Sequence, residues 1–355
     1  MIRKTINQDL TAYNTFRMKV RCKSFIEYDS VADLIDIDFG NLPGPVKHIG
    51  GGSNLLFSGD FRGTILHSAI KFIYELPEDN PLHTSDDEVL VSVGSGVEFD
   101  SFCQWCAEKG LWGTENLSYI PGEAGAAAVQ NIGAYGAEAS DIIRQVYCYD
   151  IQEEEFVHFN AEDCRYGYRD SMFKSPEAKD RYIVTNVIFA LSRSRRPRLG
   201  YGHILEALSL ALGVPAEEVA DSGKLTPELI RKTIIGIRKE KLPDVSEFGS
   251  AGSFFKNPVV EEDVFRNVQA VAGGIEVPHY KTDNGIKVPA AWLIEQCGWK
   301  GRIFGNAGVY SKQPLVLVNA TGKARPEEII DLKNNIIASV KEKFGIGLVP
   351  EAEII

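Results

Sequence analysis

The sequence predicts an α+β protein of two domains, and three observations carry that reading. At 355 residues the chain is longer than one hydrophobic core usually fills, domains averaging about 150 residues. Its first 200 residues alternate short β-branched runs with glycine turns. A basic break at Ser192–Gly202 (SRSRRPRLGYG) then gives way to two long amphipathic helices with short strands between them.

The expected strands of the first part are Val46–Ile49, Thr64–Leu66, Val89–Val93, Val146–Ile151, Phe156–Phe159 and Ile183–Leu191, with Gln152–Glu155 as a hairpin loop. Asp100–Lys109 is expected as a helix. Phe99, Phe102, Cys103, Cys106 and Ala107 fall at helical spacing on one face, with Asp100 as a cap and Gly110 as the stop. Both sulfurs of Cys103-Gln-Trp-Cys106 lie on that stripe, which assigns them to the core and not to a metal. The break 192–202 has the composition of a linker or mobile loop. Beyond it, Thr226 caps a helix from Pro227 to Glu240, with Pro243 past its end. Leu315–Val318 reads as a strand. Pro326–Phe344 places Ile329, Leu332, Ile336, Ile337, Val340 and Phe344 on one face and stops at Gly345.

Charge and composition exclude several classes of function. The formal charge is −11 and no long basic run offsets it, so binding to nucleic acid or to an anionic membrane is not expected. Met1–Val20 carries Arg3, Lys4, Asp9, Arg17 and Lys19, which leaves no apolar stretch for an export signal. No run approaches the roughly 20 apolar residues of a membrane span. With 6 cysteines and no export signal, the expected setting is reducing and cytoplasmic. There is no G-x-G-x-x-G, no G-x-x-x-x-G-K-[ST] and no H-E-x-x-H, and the histidines are scattered, so no metal site is expected.

Four segments point to chemistry. Gly50-Gly51-Gly52-Ser53-Asn54 follows the strand Val46–Ile49 directly, and three glycines allow a ligand to approach the backbone or simply make a tight turn. Pro121–Gly136 (PGEAGAAAVQNIGAYG) is almost entirely small residues. It is expected to bury little apolar area and to serve as a loop wrapping a large flat ligand. Two such segments without a Rossmann motif point to a flavin adenine dinucleotide site of another type. In Tyr166–Ser171 (YGYRDS), Arg169 suits bidentate recognition of a carboxylate or phosphate, a surface pair with Asp170 being the alternative. In Gly249–Pro258 (GSAGSFFKNP) two serines and a lysine accompany core-type aromatics, where a turn or capping serine is the plainer reading. Arg238 and Lys241 share one helical face and either complement the helix end or hold an anion.

These motifs, with RKEKLPD, AAWLIEQCG and the closing PEAEII, occur in one order. Together they resemble the UDP-N-acetylenolpyruvoylglucosamine reductase family in its longer form with a tyrosine loop, from Tyr13-Asn14-Thr15-Phe16 to Glu351. The resemblance implies a vanillyl-alcohol-oxidase/PCMH-type FAD-binding domain at 1–200 and a smaller α+β substrate-binding domain at 201–345. A C-terminal segment, 346–355, would return to the active site. It implies reduction of the enolpyruvyl ether of UDP-N-acetylglucosamine enolpyruvate to UDP-N-acetylmuramate by NADPH, for peptidoglycan synthesis, in a monomer.

By the same resemblance, FAD would be held by Gly50, Gly51, Gly52, Ser53 and Asn54 and by Pro121, Gly122, Gly125, Gln130, Asn131, Gly133 and Ala134. Ser53-Asn54 stands where covalent relatives carry histidine, so the flavin is expected to be non-covalent. Arg169 would face the substrate carboxylate and Ser253 would donate the proton. Glu351 would be the catalytic glutamate, expected to be protonated when substrate arrives or paired with Arg169, since two charged carboxylates do not share a dry site. Tyr168, Tyr201, Arg238, Lys241, Asn257 and Gln296 would bind the nucleotide sugar. Two departures stand out. Ala126-Ala127-Ala128 replaces serine or proline common in relatives, and Glu353 occupies a position that is often basic.

Overall fold

A computed structural model describes residues 1–245 and 247–355. The chain forms two compact units. One comprises Met1–Gln8, Cys22–Gly51 and Arg62–Glu240, and the other Asp9–Arg21, Gly52–Phe61 and Lys241–Ile355.

The first unit contains two sheets. β1 (Ile2–Asp9), β2 (Arg21–Tyr28), β5 (Phe61–Ser68) and β3 (Val46–Ile49) lie side by side in that order, and β3 runs parallel to β5 with Ile49 opposite His67. The second sheet is antiparallel, in the order β11 (Glu155–Asn160), β10 (Ile143–Asp150), β12 (Tyr182–Ser192), β7 (Glu88–Gly94), β6 (Ile73–Glu75). Two helices, α1 (Phe99–Glu108) and α2 (Ala124–Gln130), pack into its core, where Val91, Val93, Val146, Val187 and Phe189 meet Phe99, Phe102, Cys103 and Cys106. The helical stripe of α1 is thus buried and both cysteines are fully covered.

Three expectations change in this unit. Asp100 does not cap α1, whose N-terminus has no side-chain cap. Its carboxylate instead receives the Arg231 guanidinium and the Tyr119 N–H. Pro121–Gly136 is not a loop throughout: its alanine run forms α2, and Ala124, Gly125, Ala127 and Ala128 are buried. Alanine is the best helix former, and a helix without large side chains can approach the sheet closely. The break at 192–202 is pinned, with Arg196 3.1 Å from Asp87, Arg198 on Asp141, and the Arg198 carbonyl accepting from Asn116 Nδ2 at 2.9 Å.

Helices α3 (Ile204–Leu212), α4 (Ala216–Val219) and α5 (Pro227–Lys241) follow the break. Thr226 Oγ1 accepts the Leu229 N–H at 3.2 Å, closing the first turn of α5. The three helices form an apolar cluster of their own within that unit. Ile204, Leu208, Val219, Ile230 and Ile234 are buried with Trp112 and Leu199, and residues 201–240 belong to the first compact unit. The sequence break is a change of composition, whereas the apolar face of the helices decides where they pack.

The second unit has an antiparallel sheet ordered β13 (Gly249–Ser253), β19 (Val316–Asn319), β18 (Ala307–Val309), β17 (Ile303–Phe304). A smaller sheet orders β14 (Val259–Val260), β16 (Gly285–Lys287), β15 (Tyr280–Thr282). Around them lie α6 (Glu262–Val271), α7 (Ala290–Gln296) and α8 (Pro326–Phe344). The last ends at Gly345 with a left-handed φ of 75° and buries Ile329, Leu332, Ile336, Val340 and Phe344. The stretch 9–21 joins this unit: the Ser250 N–H donates to Thr15 O at 3.0 Å, and Asn319 Nδ2 donates to Phe16 O at 3.1 Å. At the end of the chain β20 (Glu353–Ile354) pairs in parallel with β4 (Leu55–Leu56). Among the described residues no helix is long and apolar enough to cross a membrane, and no group of His, Cys, Asp and Glu could hold a metal ion.

Candidate active site

In the first unit the two glycine-rich segments meet at backbone distance. A Cβ on Gly50 would stand 3.1 Å from Ala126 Cβ and 3.2 Å from Glu123 Oε2, and one on Gly125 only 2.7 Å from Ser95 Cβ. A side chain is thereby excluded at Gly125 and crowded at Gly50, whereas at Gly51 it would meet nothing closer than 3.8 Å. Such a cradle of bare backbone fits the diphosphate of a dinucleotide, which needs close N–H donors more than side chains.

Beyond α2 the chain is locked by its own polar groups. Asn131 is fully buried at a left-handed φ of 44°. Its Nδ2 donates to Glu138 Oε2 at 2.8 Å and Gly167 O at 2.9 Å, and its Oδ1 accepts the Ser140 N–H at 2.9 Å. The side chain of Asn131 therefore shapes the loop and leaves only backbone for a ligand. Gln130 Oε1 accepts from Lys174 Nζ at 3.0 Å. Gly133–Ala134 and Ala137–Glu138 pair as the short strands β8 and β9. The turn between them, Tyr135-Gly136, has φ of 50° and 77°, the positive values a tight hairpin requires.

Arg169 is braced against that hairpin. Its Nη1 donates to Asn131 O at 3.4 Å and its Nη2 to Gly133 O at 2.5 Å, and its guanidinium carbon lies 5.5 Å from the Tyr168 ring centre. A Cβ on Gly133 would come within 2.9 Å of Nη1, so only glycine allows this seat. Guanidinium has five N–H donors, and a carboxylate fork needs two of them.

Tyr201 is about half exposed, at 51%, and its ring meets Tyr135 edge-on with centres 6.5 Å apart. Arg238 donates from Nε to Tyr119 O at 3.1 Å and hydrogen-bonds the Tyr135 hydroxyl. Burial lowers the Arg238 pKa, the tyrosines and Asp100 opposing it, and the group remains a cation. Tyr135 escapes the sequence reading because it is one aromatic in a run of small residues. Its signal, a non-glycine residue before Gly136 in a two-residue turn, appears only with the hairpin register.

The second unit gathers a different set. Gly52 has φ of 65°, and a Cβ there would lie 2.1 Å from Tyr13 O, so the position accepts only glycine. Asn54 Nδ2 donates to Glu351 O at 3.3 Å, and Asn54 O accepts the Glu353 N–H at 3.0 Å. The Glu351 N–H donates to Phe254 O at 2.8 Å. Asn54, Glu351 and the residue after Ser253 thus share one hydrogen-bonded seam, and Ser253 and Glu351 are both half-buried. Between Ser250 and Ser253 the pairing with β19 shifts register, with Gly252 at φ 65°. A glycine bulge of this kind re-aims the side chain that follows it. Asn257 Oδ1 accepts the Ala290 N–H at 2.9 Å, starting α7, and half-buried Gln296 ends that helix. Lys241 ends α5.

Residues 39–160 match an FAD binding domain, and residues 244–355 match the C-terminal domain of UDP-N-acetylenolpyruvoylglucosamine reductase. The chain is similar to the UDP-N-acetylenolpyruvoylglucosamine reductase of Bacteroides fragilis, with 44% identity over 98% of each chain. It is likewise similar to that of Porphyromonas gingivalis, with 43% identity over 99% of each. Among solved structures, the reductase of Thermus caldophilus aligns over 100% of this chain and 98% of its own, with a TM-score of 0.62 at 21% identity. The 6-hydroxy-D-nicotine oxidase of Arthrobacter nicotinovorans aligns over 99% and 88%, with a TM-score of 0.52 at 13% identity. At these identities the two structures speak for the fold alone, the α+β fold of vanillyl-alcohol-oxidase/PCMH-type flavoproteins. With more than 40% identity along nearly its whole length, the chain belongs to the UDP-N-acetylenolpyruvoylglucosamine reductase family, FAD-dependent oxidoreductases.

Proposed function

We propose that this enzyme reduces the enolpyruvyl ether of UDP-N-acetylglucosamine enolpyruvate to UDP-N-acetylmuramate, with NADPH as reductant, as a cytoplasmic monomer supplying peptidoglycan precursors. The observation that carries the reading is the 44% identity to reductases over 98% of the chain. Bound FAD would supply hydride transfer from NADPH to the terminal carbon of the enolpyruvyl group. The flavin domain is assigned to residues 1–200, with 201–345 and the returning 346–355 serving the substrate.

The protein's own residues then have separable tasks. Gly50–Asn54 and the segment Pro121–Ala134 hold the cofactor without a covalent bond. Arg169, braced on Asn131 and Gly133, faces the substrate carboxylate. Charge grows there as hydride arrives, so the guanidinium stabilises the transition state more than the ground state. Ser253 gives its hydroxyl proton to the neighbouring carbon. Glu351 is the catalytic glutamate, protonated when substrate arrives or paired with Arg169. Tyr201 closes over the nucleotide, and Tyr168, Arg238, Lys241, Asn257 and Gln296 bind the diphosphate and sugar of the substrate.

The test is a coupled assay on purified protein loaded with FAD. NADPH should be consumed only when the enolpyruvyl nucleotide sugar is present, and acid precipitation should leave all the yellow colour in the supernatant. Protein that takes up no FAD, or NADPH consumption indifferent to the sugar, overturns the reading.

A further inference from the structure

Glu123 is an unexpected neighbour for an anionic ligand. It is the one charged residue in Pro121–Gly136, it is buried, and its oxygens lie against the Gly50–Gly51 turn. It occupies the cap position of α2 yet makes no side-chain capping bond. Its carboxylate turns instead to His67, whose Nε2 lies 3.0 Å from Glu123 Oε1 while Nδ1 lies 3.0 Å from Glu27 Oε2. An imidazole with a carboxylate on each nitrogen is satisfied in both directions only as the doubly protonated cation.

We propose that His67 is a positioning residue for the cofactor: as an imidazolium it neutralises Glu123 and holds it beneath the Gly50–Gly51 turn, so that the turn accepts the FAD diphosphate. The inference rests on the placement of that diphosphate given above. Burial opposes the charge on His67, but the hydrogen bonds and attraction of Glu123, then Glu27, outweigh it and raise the pKa above the ordinary 6.5. The other groups around the ring do not replace it. Arg3 pairs with Glu27 at 3.0 Å, the Phe25 ring stacks on His67, and His48 next door bonds the Tyr28 hydroxyl at 2.8 Å. Burial holds His48 down to about 3, so it stays neutral, and burial raises the Tyr28 pKa well above that of a free phenol.

The sign follows. Below the raised value His67 is charged and Glu123 is compensated. As pH rises through that value the ring turns neutral, one of its nitrogens faces a carboxylate without a proton, and an uncompensated anion remains beside the diphosphate. The dissociation constant of FAD, measured by quenching of flavin fluorescence, should therefore rise about tenfold or more between pH 6 and pH 9. His67→Gln should weaken FAD by a similar factor at pH 6. Glu123→Gln keeps the shape without the charge, should bind FAD at least as well as the wild type, and should lose the pH dependence. In the double variant the affinity should return, which a merely structural role for His67 would not produce. Thermal midpoints confirm that each variant is folded, and Glu123→Gln carries the test if His67→Gln is not. FAD bound with the same affinity from pH 6 to pH 9, or an undiminished pH dependence in Glu123→Gln, overturns this inference and leaves the flavin assignment standing. Failure to bind FAD at any pH overturns both.

Discussion

Gly125→Ala sets two physical effects against each other at the cofactor cradle. Alanine is the better helix residue, by about 1 kcal/mol over glycine, and Gly125 lies inside α2. By propensity alone the variant is stabilised. Packing opposes it, because the new methyl would stand 2.7 Å from Ser95 Cβ, while carbons at rest sit about 3.5–4.0 Å apart. The helix and Ser95 must separate by roughly 1 Å. Ser95 has little room to yield. Its N–H donates to Thr185 O at 2.9 Å, its carbonyl accepts the Gly125 N–H at 3.0 Å, and its Oγ lies 2.7 Å from Ser68 Oγ. Overpacking of this kind costs about 1–3 kcal/mol, so the expected net change is a loss of up to about 2 kcal/mol. Displacement of α2 also moves the backbone facing Gly50, and FAD affinity should fall about tenfold or more, since 1 Å errors at a positioned site are expensive. Urea denaturation of the apoprotein and FAD titration measure the two effects. Adding Ser95→Gly removes the opposing methylene and should restore much of both. A higher urea midpoint for Gly125→Ala with unchanged FAD affinity would refute the reasoning, for it would mean that propensity had won and the close approach constrains nothing.

Ser253→Ala should leave flavin reduction by NADPH nearly intact while slowing reoxidation by the enolpyruvyl sugar by about 10²–10⁴, the usual worth of a placed acid. Stopped-flow traces in which both halves slow equally, or neither does, would remove Ser253 from that role. Arg231→Leu should lower the stability of the apoprotein by about 2–3 kcal/mol, because Asp100 keeps its charge but loses its buried partner on α5. That figure is taken below the range for fully buried pairs because the Asp100 side chain is 30% exposed. An unchanged urea midpoint would show that the pair is worth no more than a surface one.

Much of the chemistry was legible because it is written in local pattern. The bounds of α8 follow from Pro326 at its first turn and Gly345 at its end, and the Thr226 cap of α5 bonds as its position implies. The strands β3, β7 and β12 were visible as β-branched runs. The ordered motifs named the family because each is a contiguous set of residue types. By contrast, β1 and β2 were not visible: β1 is a mostly exposed strand of largely polar residues with Arg3, Lys4 and Asp9, and in β2 Arg21, Lys23 and Glu27 interrupt the buried positions. Neither shows clean alternation. The helix α2 was hidden for another reason. Its buried face is alanine and glycine, which carry almost no hydrophobic signal, and only the sheet beneath shows that smallness there is a packing requirement.

What only the tertiary structure decided is which distant residues meet. His67 and Glu123 are 56 positions apart, Asp100 and Arg231 are 131 apart, and Asn54 and Glu351 are 297 apart. The same holds for residues 9–21, which join the second unit through Thr15 and Phe16, and for residues 201–240, which bury their apolar face in the first. Helix caps and turns are governed by bonds among neighbours a few residues apart, so the sequence states them. A partner across a hundred residues is selected by whichever closed packing covers apolar faces and pairs buried charges together, and that choice exists only once the chain has folded.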